Sequence, residues 1–233
     1  MRMSWRHLLF MHYTLEPEIV QRLLPKGLTV DTFPDESGVE KAWIGVVPFT
    51  MCNIRPFGLP ALPWISAFHE TNVRTYVHHE GSEPGVWFFS LDAARWLACA
   101  VARATFGLPY HHADMNLAVT GNAVTYSSKR KTHAADLGLA YDIGDPVQSL
   151  TGTLPFWLAE RYYLYSQRKG RLWRGQVHHE PYPLFNATVR GLESTISQAC
   201  DLPVGDWQEA YYSPGVDVEV FAIERIIEGV AAT

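Results

Sequence analysis

The sequence predicts an α+β domain carried by one large, mostly antiparallel sheet, with a few amphipathic helices at its flanks. Three observations point there. Apolar and aromatic runs of strand length recur along the chain, separated by Gly, Pro and Asn turn signals. Only short stretches show the 3.6-residue spacing of a helix. Hydrophobic residues make up 47% of the 233 and charged ones 18%, which gives a sizeable core and too little charge for a disordered chain. Without internal repeats or linker-like stretches, a single domain over residues 1–233 is expected. A sheet of this size is expected to curl or close, because closure removes unpaired edges.

The first expected element is a strand from about Trp5 to Thr14, which ends at Glu16-Pro17. Residues 17–24 place Ile19, Val20, Leu23 and Leu24 on one helical stripe, with Pro17 in the first turn, where its missing amide proton is tolerated. Pro25-Lys26-Gly27 ends that helix. Strands follow over Leu28–Phe33 and Lys41–Met51. Three prolines and a glycine make residues 55–64 a loop. Phe68–His79 is a long strand, with Val86–Asp92 its hairpin partner across Glu80-Gly81-Ser82. Ala93–Phe106, rich in alanine and closed by Gly107, reads as a helix. Asn116–Arg130 holds two strands joined around Thr120-Gly121-Asn122, and His133–Ile143 holds another. A short helix near Leu154–Arg161, a strand over Leu172–His179, a helix over Val189–Ala199 and a closing hairpin through Pro214-Gly215 complete the chain.

Composition narrows the function. The net charge is −5 and the longest basic tract is Lys129-Arg130-Lys131, so nucleic acid is not an expected partner. Three widely spaced cysteines (Cys52, Cys99 and Cys200) make no disulfide framework and fit a reducing cytoplasm. The apolar run Leu8–Met11 is too short for a signal sequence, and no stretch approaches the ~20 apolar residues of a spanning helix. We therefore expect a cytoplasmic protein with no membrane partner. Nucleotide-cradling glycine loops and a GxSxG elbow are missing, so no cofactor is expected.

The most informative segment is Glu70-Thr71-Asn72-Val73-Arg74-Thr75-Tyr76-Val77. Side chains on a strand alternate faces, so Glu70, Asn72, Arg74 and Tyr76 share one and the four residues between them share the other. Such a row either faces water on a half-exposed strand or turns inward to orient a small polar ligand. Six of the ten histidines form adjacent pairs, His78-His79, His111-His112 and His178-His179. Neighbours on a strand point apart, which leaves only a composite metal site drawn from different pairs, and none is expected. The aromatic clusters Trp87-Phe88-Phe89 and Tyr162-Tyr163 with Tyr165 serve a core or a cavity wall equally well.

The stretches WRHLLFMHYTLEPEIVQRLLPKGLTV, AWIGVVPF, FHETNVRTYV, GVWFFSLDA, FGLPYHHADM and ERYYLYS resemble the YqjF-like family of uncharacterised bacterial proteins, from about Trp5 to Pro183. That family is in turn similar to acetoacetate decarboxylase, which implies a cone-like antiparallel barrel with a central cavity. The decarboxylase uses a lysine that forms a Schiff base with its ketone substrate, activated by a neighbouring cation. Two consecutive lysines follow the proline of a turn in those enzymes. Here the turn reads Gly107-Leu108-Pro109-Tyr110-His111, so Tyr110 stands in the nucleophile's place and His111 in that of the activating lysine. None of the five lysines (Lys26, Lys41, Lys129, Lys131, Lys169) falls there, and Schiff-base decarboxylation is not expected. The resemblance puts Arg6 where that family has its cavity arginine and Glu70 where it has one active-site glutamate. The second glutamate's position, near Gly45, holds a small residue.

Two functions follow from this. In the first, the protein is an enzyme acting on a small keto or hydroxy acid as a lyase, hydratase or isomerase. Glu70 or His111 would move protons, Tyr110 would donate to an oxyanion, and Arg6 or Arg74, with Asn72 and Tyr76 beside them, would hold the substrate. In the second, an aromatic-lined cavity binds a metabolite without turning it over. A barrel filled by its own side chains, with function moved to the surface, is the remaining reading. The resemblance also suggests a homo-oligomer.

Overall fold

The structure is a computed structural model that describes residues 1–55, 67–96, 99–100, 106–132 and 134–226. Among them, fourteen strands form one continuous sheet and the helices are few and short, in keeping with the expected fold class. At the centre lies β1 (Arg2–Leu15), antiparallel to β4 (Glu40–Arg55) on one side and to β13 (Trp207–Val220) on the other. From β4 the sheet continues through β5 (Phe68–His79) to β6 (Ser82–Ala93).

At β6 the sheet forks. One branch passes through a parallel pairing to β10 (Tyr163–Arg168), then to β11 (Arg171–His179), and returns to β13. The other passes through parallel β7 (Tyr110–Thr120) to β8 (Ala123–Arg130), β9 (Asp136–Val147) and β12 (Leu184–Ser194), and also returns to β13. The sheet is therefore ring-like twice over, the two rings sharing β13, β1, β4, β5 and β6. Short strands β2 (Thr29–Val30), β3 (Thr32–Pro34) and β14 (Glu224–Arg225) pair at the margins.

Shared strands bury both faces, and their sequences show why. In Ala42-Trp43-Ile44-Gly45-Val46-Val47, Trp43 and Val47 enter the core of the first ring while Ala42, Ile44 and Val46 enter that of the second. Such strands read as unbroken apolar runs rather than as alternating ones. Strand β1 does the same with a change of phase. Met3 and Trp5 face the first ring ahead of His7, which has φ 52°, and Leu8 and Phe10 face it afterwards. The pairing with β4 slips by one residue across this stretch. That bulge switches which parity of residue points inward.

Several boundaries move. The helix expected over residues 17–24 is α1 (Pro17–Gln21), and the one near Leu154–Arg161 is α2 (Leu154–Ala159). Strand β10 was not expected. The helix expected over Val189–Ala199 is corrected: β12 runs to Ser194 and only Gln198–Cys200 form a 3-10 turn. The register of β12 shifts between Val189 and Gly191, so apolar Val189 and Leu192 fall three apart and imitate helical spacing. The closing hairpin through Pro214-Gly215 is also corrected. Strand β13 is continuous there, with Pro214 exposed and Gly215 at φ 129° in a kink against β1. A Cβ on Gly215 would sit 2.0 Å from the Trp5 carbonyl oxygen. That close approach, rather than a turn, is what the glycine allows. The loop expected over 55–64 lies almost wholly outside the described residues, as does much of the expected helix Ala93–Phe106. Ala93 closes β6, whereas Trp96, Cys99, Ala100 and Phe106 are helical.

Among the described residues, no helix is long and apolar enough to cross a membrane. None of the three cysteines is in a disulfide. No group of three or more His, Cys, Asp or Glu side chains among the described residues is placed to hold a metal ion.

Candidate functional site

Strand β5 supplies the site. Its ring-facing side chains are Glu70, Asn72, Arg74 and Tyr76, while Thr71, Val73 and Thr75 point to the opposite face. Inside the first ring lies a cavity of about 300 Å³, walled mainly by apolar side chains such as Leu8, Val47, Phe49, Phe88 and Leu91. Glu70, Asn72, Arg74 and Tyr110 bring polar groups to it.

Glu70 is 2% exposed, and the Tyr110 hydroxyl donates to its Oε2 at 2.9 Å. Burial pushes the Glu70 carboxyl up to about 8; the Tyr110 hydrogen bond opposes this, and the Asp92 carboxylate adds a smaller upward push. Near neutral pH the group is largely a neutral acid, which can both donate a proton and accept a hydrogen bond. The Tyr110 phenol is held well above its usual value, first by burial and then by the Glu70 charge, so it stays a donor.

The other end of the row is cationic. Arg74 Nη2 donates to the Leu158 carbonyl at 3.1 Å and lies 3.4 Å from the Tyr76 hydroxyl. Its guanidinium carbon sits 5.4 Å from the centre of the Phe10 ring. No carboxylate among the described residues pairs with it, and its buried Nε has no partner. Asn72 Oδ1, between the two ends, is also buried and unpaired. Unsatisfied groups of this kind cost free energy in an empty cavity and gain it back from a matching ligand.

His12, which the sequence did not single out, organises this end. It is fully buried, and its Nε2 lies 2.7 Å from the Tyr76 hydroxyl, which also reaches the Leu158 carbonyl at 2.8 Å. Burial, and then the Arg74 charge, hold His12 well below the usual imidazole range, so it is neutral. Gly45 makes room for both: a Cβ there would come within 3.1 Å of His12 Nε2 and 3.3 Å of Arg74 Cγ. The only signal in the sequence is a polar residue inside the apolar run of β1, which many structural histidines share.

Behind β5, on the face turned to the second ring, Asp92 and Arg130 form an ion pair at 2.7 Å with side chains almost wholly buried. Ser90 bonds the same guanidinium at 2.6 Å. The pair anchors the strands that carry Glu70 and Tyr110, since β6 adjoins both β5 and β7.

The structure thus brings Glu70, Asn72, Arg74 and Tyr110 to one cavity and sets Tyr76 just behind Arg74. Two expected positions are corrected. Arg6 does not reach the cavity: lying before the β1 bulge, it points to the outer face, where it pairs with Asp217 at 2.5 Å. His111 follows Tyr110 on β7 and so faces away from it; it is absent from the cavity lining, and Tyr110 is the hydrogen-bond partner of Glu70 instead. None of the five lysines lines the cavity either.

Comparison with known proteins agrees with this architecture. The chain is 39% identical over 201 residues to the uncharacterized protein YqjF of Bacillus subtilis (strain 168), covering 85% of this chain and 81% of that one. Its fold is similar to that of acetoacetate decarboxylase from Legionella pneumophila, with a TM-score of 0.68 and 13% identity over 99% of this chain and 88% of that one. It is also similar to the enduracididine biosynthesis enzyme MppR complexed with pyruvate, with a TM-score of 0.65 and 11% identity over 96% and 89% of the two chains. The family model DUF2071, described as an uncharacterized conserved protein, matches residues 2–217. With a ring-like sheet enclosing a polar row from β5, this chain belongs to the DUF2071 family.

Proposed function

We propose that the protein binds a small carboxylic acid of the keto or hydroxy type in the ring cavity and acts on it by acid–base chemistry without an imine. The observation that carries this reading is Arg74, an enclosed guanidinium with no acidic partner among the described residues, on the same strand face as the buried Glu70. Arg74 seats the carboxylate, because a charge-assisted pair in a low-dielectric site outweighs any neutral contact. Asn72 Oδ1 accepts a ligand hydroxyl. Neutral Glu70, held by Tyr110, donates to the ligand's carbonyl or hydroxyl oxygen and protonates it as charge develops; once ionised, it takes a proton back. Lyase, hydratase and isomerase steps all fit this cycle. Pyruvate in the similarly folded MppR supports a carboxylic acid as the kind of ligand a fold like this can hold, without fixing its length.

One observation favours a non-catalytic binding module. Glu70 and Tyr110 are directly bonded to each other, and no histidine, lysine, cysteine or second carboxylate side chain lines the cavity among the described residues. In that reading Glu70 gives orientation only. Turnover of any bound acid separates the two.

A thermal-stabilisation screen against small keto and hydroxy acids tests the site. A ligand at ~100 times its dissociation constant adds about 2.7 kcal/mol. We expect Arg74→Met to abolish this gain and Glu70→Gln to reduce it. A gain retained in full by both variants would place the site elsewhere. The same reading has the protein working in a reducing cytoplasm as a homo-oligomer that contacts neither nucleic acid nor membrane. Sizing by light scattering checks the assembly.

A further inference from the structure

The two working ends of the cavity lie far apart, and their separation selects among acids. The Cα atoms of Glu70 and Arg74, four residues apart on one face of β5, are about 13 Å apart at a strand's rise of roughly 3.3 Å per residue. The guanidinium does not lean back to close the gap. It is fixed to the Leu158 carbonyl and the Tyr76 hydroxyl, and Tyr76 stands two residues farther from Glu70. The charge that bears on Glu70 is Asp92 rather than Arg74. Between the ends the lining is Asn72 and apolar side chains that include Leu8, Val47 and Leu91.

We propose that the cavity takes a monocarboxylic acid whose second oxygen function, a hydroxyl or carbonyl, is separated from the carboxylate by an extended apolar spacer. A 2- or 3-keto acid, with its two functions adjacent, would reach one end only. This rests on the carboxylate seat at Arg74 proposed above. If the two side chains keep their backbone spacing, removing a hydrogen-bond length of about 2.9 Å at each end leaves on the order of 7 Å, or five to six carbon–carbon bonds of ~1.5 Å in a zigzag. The cavity of about 300 Å³ equals the volume of roughly ten waters, enough for such a chain.

The test is a length series: straight-chain acids with a terminal hydroxyl, each matched with the plain acid of equal length, and the short 2- and 3-keto acids beside them. Melting temperature is read for the unaltered protein, Arg74→Met and Glu70→Gln. We expect stabilisation to peak at the intermediate spacer, with a hydroxyl increment over the plain acid that Glu70→Gln removes and a total effect that Arg74→Met removes. Best stabilisation by short keto acids, lost equally in both variants, overturns the spacer and leaves the acid site standing. Plain acids matching hydroxy acids at every length overturn it too. If no acid shifts the unaltered protein, or Arg74→Met responds as it does, the carboxylate seat falls and the spacer with it. The length dependence in the unaltered protein decides the question even if a variant melts early.

Discussion

At the scale of single residues, Glu70 makes stability depend on pH. Its proton is held more tightly in the folded chain than in the unfolded one, because burial pushes the carboxyl from 4.5 to about 8. Stability from this group is therefore fully present below about pH 4.5 and is lost as pH climbs towards 8. Glu70→Gln keeps a neutral side chain of similar shape, so its melting temperature should fall less than that of the unaltered protein across the same window; parallel melts at graded pH check this. The buried pair behind it makes a second residue-level prediction. Arg130→Met leaves buried Asp92 without its cationic partner and should cost about 3–5 kcal/mol in urea unfolding. Adding Asp92→Asn should recover much of that loss, because the uncompensated charge rather than the missing attraction dominates. That Glu70, Asn72 and Arg74 share one face was legible in the sequence, because strand alternation needs no tertiary knowledge; that the face turns inward was implied only by the family resemblance. Arg6 and His12 were not legible. Both lie on β1, where one extra residue at the bulge decides which side chains face inward, and nothing local announces it.

Single elements were readable to the extent that their period was unbroken. Strand β5 matches its expected limits, Phe68 to His79, since its two faces meet two cores and no bulge interrupts its own alternation. Strands β12 and β13 were misread for opposite reasons. A bulge in β12 turned a period of two into a helix-like three, and a proline–glycine pair in β13 gave the signal of a turn where the chain only kinks. Gly215 is the element-level test. Its φ is 129°, and a methyl carbon there would stand 2.0 Å from the Trp5 carbonyl oxygen, which leaves no room for a side chain. Gly215→Ala should destabilise the protein by on the order of 2 kcal/mol or more. Because Gly215 pairs with Arg6 next to the bulge, the change should also alter ligand stabilisation through Trp5 and Leu8, which line the cavity. Denaturation and the acid screen on one preparation measure both.

For the whole molecule, closure into two rings was the least legible feature, because it depends on pairings between strands distant in sequence, which no local pattern encodes. The first ring closes through a short parallel contact, Gly85 to Tyr163 and the two pairs after it. A Cβ on Gly85 would lie 2.6 Å from the Tyr163 carbonyl oxygen, so any side chain pushes β10 away from β6. Gly85→Val should therefore open the first ring at this seam. The second ring does not use that contact, since it leaves β6 through β7. Hydrogen exchange should show amides of β10 and β11 losing protection while those of β7, β8 and β9 keep most of theirs, in line with separable cooperative units. The acid-induced gain in melting temperature should disappear as well, because Leu164 and Val177, on the strands set loose, line the cavity that holds Glu70 and Arg74. Equal loss of protection in both rings would mean that the five shared strands weld them into one folding unit. Retained acid binding with β10 displaced would mean that β5 and its immediate neighbours hold the ligand without an enclosed space.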